Sequence, residues 1–316
     1  MTTAPAGDHH VRAGVGVGLA AYTLWGLLTI YWHELGHFDA FELIGYRVIF
    51  SALTMIVALT VAGRWRHLRP VLRSRHLLGR AGLTAVLLTV NWTAYVYAVV
   101  HERVLETALG YFIAPVGTML VGAFVLHERL RRAQVVAIGF AVAAIVVLTA
   151  SYGRVPYLAL AIAVSWTAYG YLKKQVPLDP LDGMAAEVFL LTVPAVVVVA
   201  AAAGAPGSIP NTATGGQLAL LTLSGLVTVV PLTMFAFAAQ RVPLTVLGPL
   251  QYSVPTINLL LGWLVYHEPL PPSRVAGFAL VWIGLAVLTV DSLRRARSNR
   301  IDAGRLALEL SGEPAV

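Results

Sequence analysis

One pentapeptide has the spacing of a metal site: His33-Glu34-Leu35-Gly36-His37. On a helix, H-E-x-x-H sets two imidazoles one turn apart as zinc ligands, with the glutamate as general base. Two other residues, Arg47 and Glu187, carry charge inside apolar stretches. An ionisable side chain within a membrane span costs about 2.5–3.5 kcal/mol on insertion scales, so it normally has a use or a partner. A guanidinium there attracts an anionic group, and a carboxylate binds a cation or a proton. The same two residues could instead belong to an ion network that holds helices in register. Which chemistry is available depends on where the surrounding elements place these groups.

Those elements are apolar. Apolar residues make up 58% of the chain and charged residues only 12%, against about 25% charged in a soluble domain. Segments of roughly 20 apolar residues follow one another with short breaks, the pattern of membrane-spanning helices. Ten are predicted, over 14–32, 42–61, 82–100, 106–126, 134–150, 156–172, 182–203, 217–239, 246–266 and 274–291. The net charge of +7 comes almost entirely from arginine. These arginines sit in short loops between apolar segments, where they serve topology rather than nucleic-acid binding. The absence of cysteine excludes disulfides and thiolate metal sites. No compact signal-peptide pattern precedes the first apolar segment, which is read as retained. No Gly-x-x-x-x-Gly-Lys loop is present, so the chain is not expected to hydrolyse ATP.

The chain also repeats itself. Pro115, Gly122, Val125, His127, Glu128 and Leu130 recur about 140 residues later as Pro255, Gly262, Val265, His267, Glu268 and Leu270. Arg103, Val104, Thr107, Leu109 and Gly110 recur as Arg241, Val242, Thr245, Leu247 and Gly248. Arg47 falls opposite Glu187, and Trp25 falls opposite Trp166 at nearly the same offset. The expected architecture is an all-α membrane protein of ten transmembrane helices in two five-helix repeats, 14–150 and 151–291. A 1–13 N-terminus precedes them and a basic 292–316 tail follows.

Basic residues orient the helices. Eighteen lie in one set of connections and three, Arg103, Arg154 and Arg274, in the other. The positive-inside rule then puts both termini in the cytoplasm. An odd number of helices per repeat makes the two copies inverted, the plan of alternating-access transporters. Arg47 and Glu187 then lie in opposite halves of the membrane, separated by roughly 10–15 Å of depth. The tail is read as disordered and attracted to anionic lipid, with Leu306, Leu308 and Leu310 able to form a short interfacial helix.

These motifs resemble the drug/metabolite transporter superfamily with its duplicated EamA-type repeat, and more narrowly its RarD subfamily. The stretches that carry the resemblance are Glu106 to Pro115, the His-Glu-Arg-Leu at 127–130, Val229 to Leu232 and Thr245 to Tyr252. Tyr46-Arg47-Val48-Ile49 and Gly183-Met184 with Glu187 add to it. The likeness covers about residues 14–291. It implies a bacterial-type inner-membrane permease that exports a small metabolite or drug-like compound, with H+ as a candidate coupling ion. It implies no metal and no cofactor.

Two competing classes remain. Site-2 proteases carry H-E-x-x-H on a membrane helix and take a third ligand from a Leu-Asp-Gly segment, and this chain has Leu181-Asp182-Gly183. Topology argues against an intramembrane zinc protease. The histidines belong at the outer end of the first helix and Asp182 at the inner start of the seventh, across a core about 30 Å thick. The other class is a membrane sensor that moves no solute.

The candidate binding residues are Arg47, Glu187, Asn91, Tyr95, Tyr111, Gln251, Tyr252, Asn258, Trp25 and Trp166. Asn91 and Tyr95 share a helix face at i, i+4, and Asn258 lies seven residues after Gln251. Such groups line a cavity for an amphipathic solute or serve as interhelical hydrogen-bond glue. Pro115, Pro231 and Pro255 are expected to bend their helices as hinges, at the same place in both repeats for the first and last. Glu42 is expected at headgroup level near the outer boundary, and Glu106 as a helix-start carboxylate. The protease reading has a direct test. Metal analysis of the purified chain should find no stoichiometric zinc; zinc lost on changing His33 or His37 would revive it.

Overall fold

The computed structural model describes residues 6–101, 104–152, 155–267 and 272–311. Arg103, Arg154, Glu268 and Leu270 lie outside these residues, as do the side chains of Glu106, Leu306, Leu308 and Leu310. In chain order the helices are α1 (Ala6–His33), α2 (Ala40–Val61), α3 (Trp65–Arg73), α4 (Arg75–Val100) and α5 (Val104–Leu120). A π-helical turn (Val121–Val125) follows, then α6 (Arg132–Tyr152), α7 (Tyr157–Gln175), α8 (Pro180–Ala202), α9 (Ile209–Thr212) and α10 (Gly215–Arg241). The last three are α11 (Leu244–Leu250), α12 (Ser253–Leu264) and α13 (Pro272–Ser311). No strand occurs among the described residues.

Among the described residues seven helical segments are long and apolar enough to cross a membrane, one of them Leu244–Leu264 across α11 and α12, and 109–125 and 275–291 are shorter apolar stretches. The remaining expected span falls on α7, whose composition is diluted by Ser165, Thr167, Tyr169, Tyr171, Lys173 and Lys174. That polarity has a physical reason. Most of α7 is wrapped by protein, with Ser165, Thr167, Tyr169 and Lys173 all buried, so it does not need an apolar face toward lipid. On other helices the outward faces are apolar, as with Val57, Val61, Val193 and Val197.

Two stretches read from sequence as irregular are helical. The basic connection after α2 contains α3, with Leu68 and Val71 buried and Arg66, Arg69 and Arg73 exposed. The tail expected to be disordered continues α13 to Ser311. Its Arg-, Ala- and Leu-rich composition favours helix.

Contacts give the helix directions. Arg64, just past the end of α2, pairs with Asp182 at the start of α8. Gly45 near the start of α2 packs on Ala195 and Val199 near the end of α8, so the two run antiparallel. The pair α6 and α13 is also antiparallel: Arg131 bonds Asp291, Phe140 and Ala137 pack on Gly284, and Leu148 packs on Gly277. In the same way α1 runs against α10 and α4 against α7. By contrast, α1 lies parallel to the 244–264 segment and α5 lies parallel to α7. Exchanging the two halves of the chain leaves this set of pairings unchanged.

Both copies of the repeated His-Glu begin on a helix-ending turn, and the first also acts as a cap. His127 takes φ 53° and His267 takes φ 54°, left-handed conformations that end a helix abruptly. After the first turn Glu128 doubles back, and its two carboxylate oxygens accept the backbone N–H groups of Leu244 at 2.9 Å and Thr245 at 2.8 Å. These are donors that the start of α11 would otherwise leave unpaired. Gly122 is required beneath this cap, because a Cβ there would meet Glu128 Oε2 at 2.7 Å.

The three expected hinge prolines all lie in helical segments. Helix α5 contains Pro115 and passes into the π-helical turn at Val121, and α10 contains Pro231. Between α11 and α12 the helix is interrupted at Gln251–Tyr252, and Pro255 sits in the first turn of α12, where proline removes no helical bond. Gly110 and Gly248 mark close approach, to Ile162 and to the Pro115 carbonyl respectively.

The tightest crossing joins α2 and α10. A Cβ on Gly225 would lie 2.1 Å from the Phe50 carbonyl oxygen. Gly225→Ala should therefore destabilise the chain by about 1–3 kcal/mol through overpacking. Gly139→Ala in α6, with nothing within 4 Å, should leave it unchanged or firmer. Thermal unfolding in detergent checks both.

Candidate functional site

Arg47 lies about two turns into α2 and is half-buried. Its Nε donates to Thr228 Oγ1 of α10 at 2.7 Å. The guanidinium carbon sits 4.5 Å from the ring centre of Trp92 and 5.0 Å from that of Trp32. Cation–π attraction to two indole faces compensates part of the charge's desolvation. Tyr31, Tyr95 and Tyr111 lie within electrostatic reach, and the last two rings are 6.3 Å apart. Among the described residues no carboxylate lies within ion-pair distance of Arg47. The Nη fork, the part that grips a carboxylate or phosphate in two parallel bonds, has no acceptor there.

Glu187 lies at the equivalent place in α8 and is buried. It does not pair with Arg47. Arg47 stands near the level of Ala195–Val199, some ten residues along α8 from Glu187, which corresponds to roughly 15 Å of helix rise. Glu187 instead meets Lys173 Nζ of α7 at 2.5 Å through Oε1. Thr84 of α4 donates to the same oxygen, and Tyr169 OH donates to Oε2 at 3.2 Å. Charge patterning alone assigns Lys173 to a cytoplasmic connection. The residue is only 4% exposed and belongs to this network.

The two stations correspond. Arg47, Trp32 and Thr228 come from α2, α1 and α10; Glu187, Lys173 and Thr84 come from α8, α7 and α4. Exchanging the halves of the chain carries one set of helices into the other. Between the stations lies a cluster of rings. Trp25 and Trp166 meet edge to face at 5.4 Å, and both pack on Phe235, with Tyr22 and Tyr169 alongside. The Tyr22 hydroxyl is buried there without a partner among the described residues.

The other candidates tie helices together. Asn91 donates to the Ile162 carbonyl at 3.0 Å and Ser165 Oγ at 3.1 Å, away from Tyr95. Gln251 donates to Thr118 at 2.9 Å and Tyr252 to the Phe112 carbonyl at 3.0 Å. Asn258 accepts from Thr29 at 2.8 Å. Glu42, in the first turn of α2, is buried and accepts the Ile209 N–H with both oxygens, at 3.0 and 3.1 Å. Of the ten candidates, the structure gathers Arg47, Tyr95 and Tyr111 in one place, Trp25 and Trp166 in a second, and Glu187 in a third. Sequence reasoning left out Lys173, Trp32, Thr84, Thr228 and Tyr169. Only Lys173 left a signal, because it stands opposite Trp32 at the offset that relates Trp25 to Trp166.

The end of the bundle where α2 finishes and α8 begins is fastened by ion pairs. Arg64 grips Asp182 through Nε at 3.2 Å and Nη2 at 2.7 Å, and reaches Asp179 at 3.2 Å. The hydrogen bond to Asp182 holds the Arg64 guanidinium above its ordinary pKa. This contact fixes Asp182 far from the H-E-x-x-H segment. That segment is itself not helical, since α1 ends at His33. His33 stacks on Tyr266 and His37 on Phe38.

A bundle of apolar helices with charged groups buried along its interior is the plan of a multi-pass membrane permease. The description of the EamA-like transporter family matches the chain twice, over residues 12–150 and 155–290. Protein RarD of Streptomyces exfoliatus is 41% identical over 98% of both chains. The uncharacterized transporter YojE of Bacillus subtilis (strain 168) is 33% identical, covering 92% of this chain and 97% of its own. Protein RarD of Escherichia coli (strain K12) is 33% identical over 90% and 97%. The chain belongs to the EamA-like transporter family, as a RarD-type permease. A crystal structure of a protein with 20% identity superposes with a TM-score of 0.66 over 88% of this chain and 97% of the other, a likeness that bears on fold alone.

The Lys173–Glu187 pair makes a stability prediction. Lys173→Met strands a buried carboxylate and should cost about 3–5 kcal/mol. Adding Glu187→Met should recover most of that loss, read as thermal unfolding of the single and double variants.

Proposed function

We propose that the chain is an alternating-access permease for a small organic anion, whose charged group docks on Arg47. The observation that carries this reading is a half-buried guanidinium boxed by Trp32 and Trp92, with its Nη fork facing no acceptor among the described residues. Tyr95 and Tyr111 offer hydroxyls and ring faces beside it, suited to an amphipathic metabolite or drug-like compound.

The working architecture is ten membrane spans in two inverted five-helix repeats, 14–150 and 151–291, in the inner (cell) membrane with both termini cytoplasmic. Support comes from the antiparallel α2–α8 and α6–α13 pairs, the matched turns at His127 and His267, and the double family match. Rocking of the halves would expose the Arg47 station and the Glu187 station in turn. Export is the direction assigned from the family resemblance, with H+ as coupling ion.

A thermal-shift screen of organic acids, amino acids, nucleosides and amphipathic drugs tests the reading across solute classes. Acids should stabilise the wild-type chain. Arg47→Gln should weaken that response at least about tenfold, and Arg47→Lys should restore only part, since an ammonium lacks the fork. Equal stabilisation of wild type and Arg47→Gln by the same acids would remove Arg47 from the binding site.

A further inference from the structure

Three donors converge on the Glu187 carboxylate, and none comes from its own helix. Lys173 and Tyr169 belong to α7, Thr84 to α4, and the carboxylate to α8. A cation with two hydroxyls around one carboxylate is a complete receptor for that group. In this conformation the occupant is the chain's own side chain.

A crevice with room for about one water lies against the same residues. Lys173, Thr84 and Glu187 are on its wall together with Gly183, Ala236 and Gln240. Gly183 leaves space there, since a Cβ would sit 3.6 Å from Lys173 Nζ. When Glu187 gives up Lys173 and Thr84, a small carboxylate entering from this crevice meets those two donors first.

We propose that Lys173, Thr84 and Tyr169 form a second anion site, for a small carboxylate, which Glu187 occupies as a tethered competitor and releases on taking up one proton. The identity of the natural ligand rests on the organic-anion reading above; the donor set does not. The charge balance is explicit. Lys173 carries one positive charge, and one negative charge answers it, either the Glu187 carboxylate or an incoming carboxylate. In the second case Glu187 is neutralised by a proton from water at the inner face. Anion and proton therefore enter together with no change in net charge.

The charged and polar neighbours of Glu187 come from α7, α4, α8 and α10. From α7 Glu187 faces Lys173 and Tyr169. From α4 it faces Thr84, with Arg80 one turn earlier donating to the Gln175 carbonyl. On α8 itself Asp179 and Asp182 are held by Arg64, which comes from the α2 side. The part of α10 that lines the crevice contributes Ala236 and the neutral Gln240.

The test is chemical rescue in the detergent-purified full chain, with formate as probe and chloride at equal ionic strength as control. In Glu187→Ala, about 100 mM formate should raise Tm by at least about 2 °C over chloride. The gain should vanish in Glu187→Ala with Lys173→Met, and persist in Glu187→Ala with Arg47→Gln. That last arm separates this site from the Arg47 reading, which can fail by itself. With Glu187 intact and the Arg47 station removed by Arg47→Gln, formate should stabilise the chain only as pH falls. Should Glu187→Ala not fold, the isosteric Glu187→Gln should show a formate response that no longer depends on pH. Equal Tm in formate and chloride for the foldable Glu187 variants would overturn the proposal. So would a formate gain that survives Lys173→Met.

Discussion

A charge placed inside hydrocarbon must be answered within a few ångströms. Water cannot do it there, so the protein must. The centre of this bundle is organised around two such answers. The Arg47 guanidinium is answered by the faces of Trp32 and Trp92 and one threonine oxygen. The Lys173 ammonium is answered by a full carboxylate. The remaining polar interior follows from these choices. Helix α7 can carry Lys173 and Tyr169 because α4, α5 and α10 cover it. Those helices can cover it closely because glycines at crossings such as Gly110 remove the side chains that would hold them apart.

The duplicated scaffold and the unequal stations separate two kinds of constraint. Turns, caps and crossings obey the repeat: His127 and His267 share one unusual backbone conformation, and equivalent helices pair head to tail. The charged positions do not. Arginine faces glutamate across the repeat, and tryptophan faces lysine. On the proposed alternating-access reading, matched backbone lets the two halves exchange roles, whereas a solute of fixed charge requires their charged positions to differ.

Much of this was legible in the residues. Apolar run lengths and the 140-residue offset were enough to anticipate most helices to within a few positions. Arg47 and Glu187 stood out because charge in an apolar run is expensive. Other features were hidden for identifiable reasons. Helix α3 was hidden because its apolar pattern, Leu68 and Val71 alone, is too short to separate from a basic loop. Lys173 was hidden because a lysine near a helix end has the same appearance whether it points to water or folds back under a buried carboxylate. The partner of Glu42 was hidden for a related reason: only the three-dimensional path brings Ile209 over it. Thr84 and Thr228 carry no signal at all, since threonines bonded to their own helix are common in apolar segments.

The near-contact of Gly225 with the Phe50 carbonyl has a mechanical meaning. Two helices that touch backbone to backbone have no side-chain layer to shear, so α2 and α10 must travel as one stiff plank. Arg47 and Thr228 are both riveted to that plank, and Arg47 keeps its threonine whichever way the plank tilts. Trp32 belongs to α1 and Trp92 to α4, so the aromatic box is assembled from helices outside that pair, while the charge and its threonine are set by the pair itself.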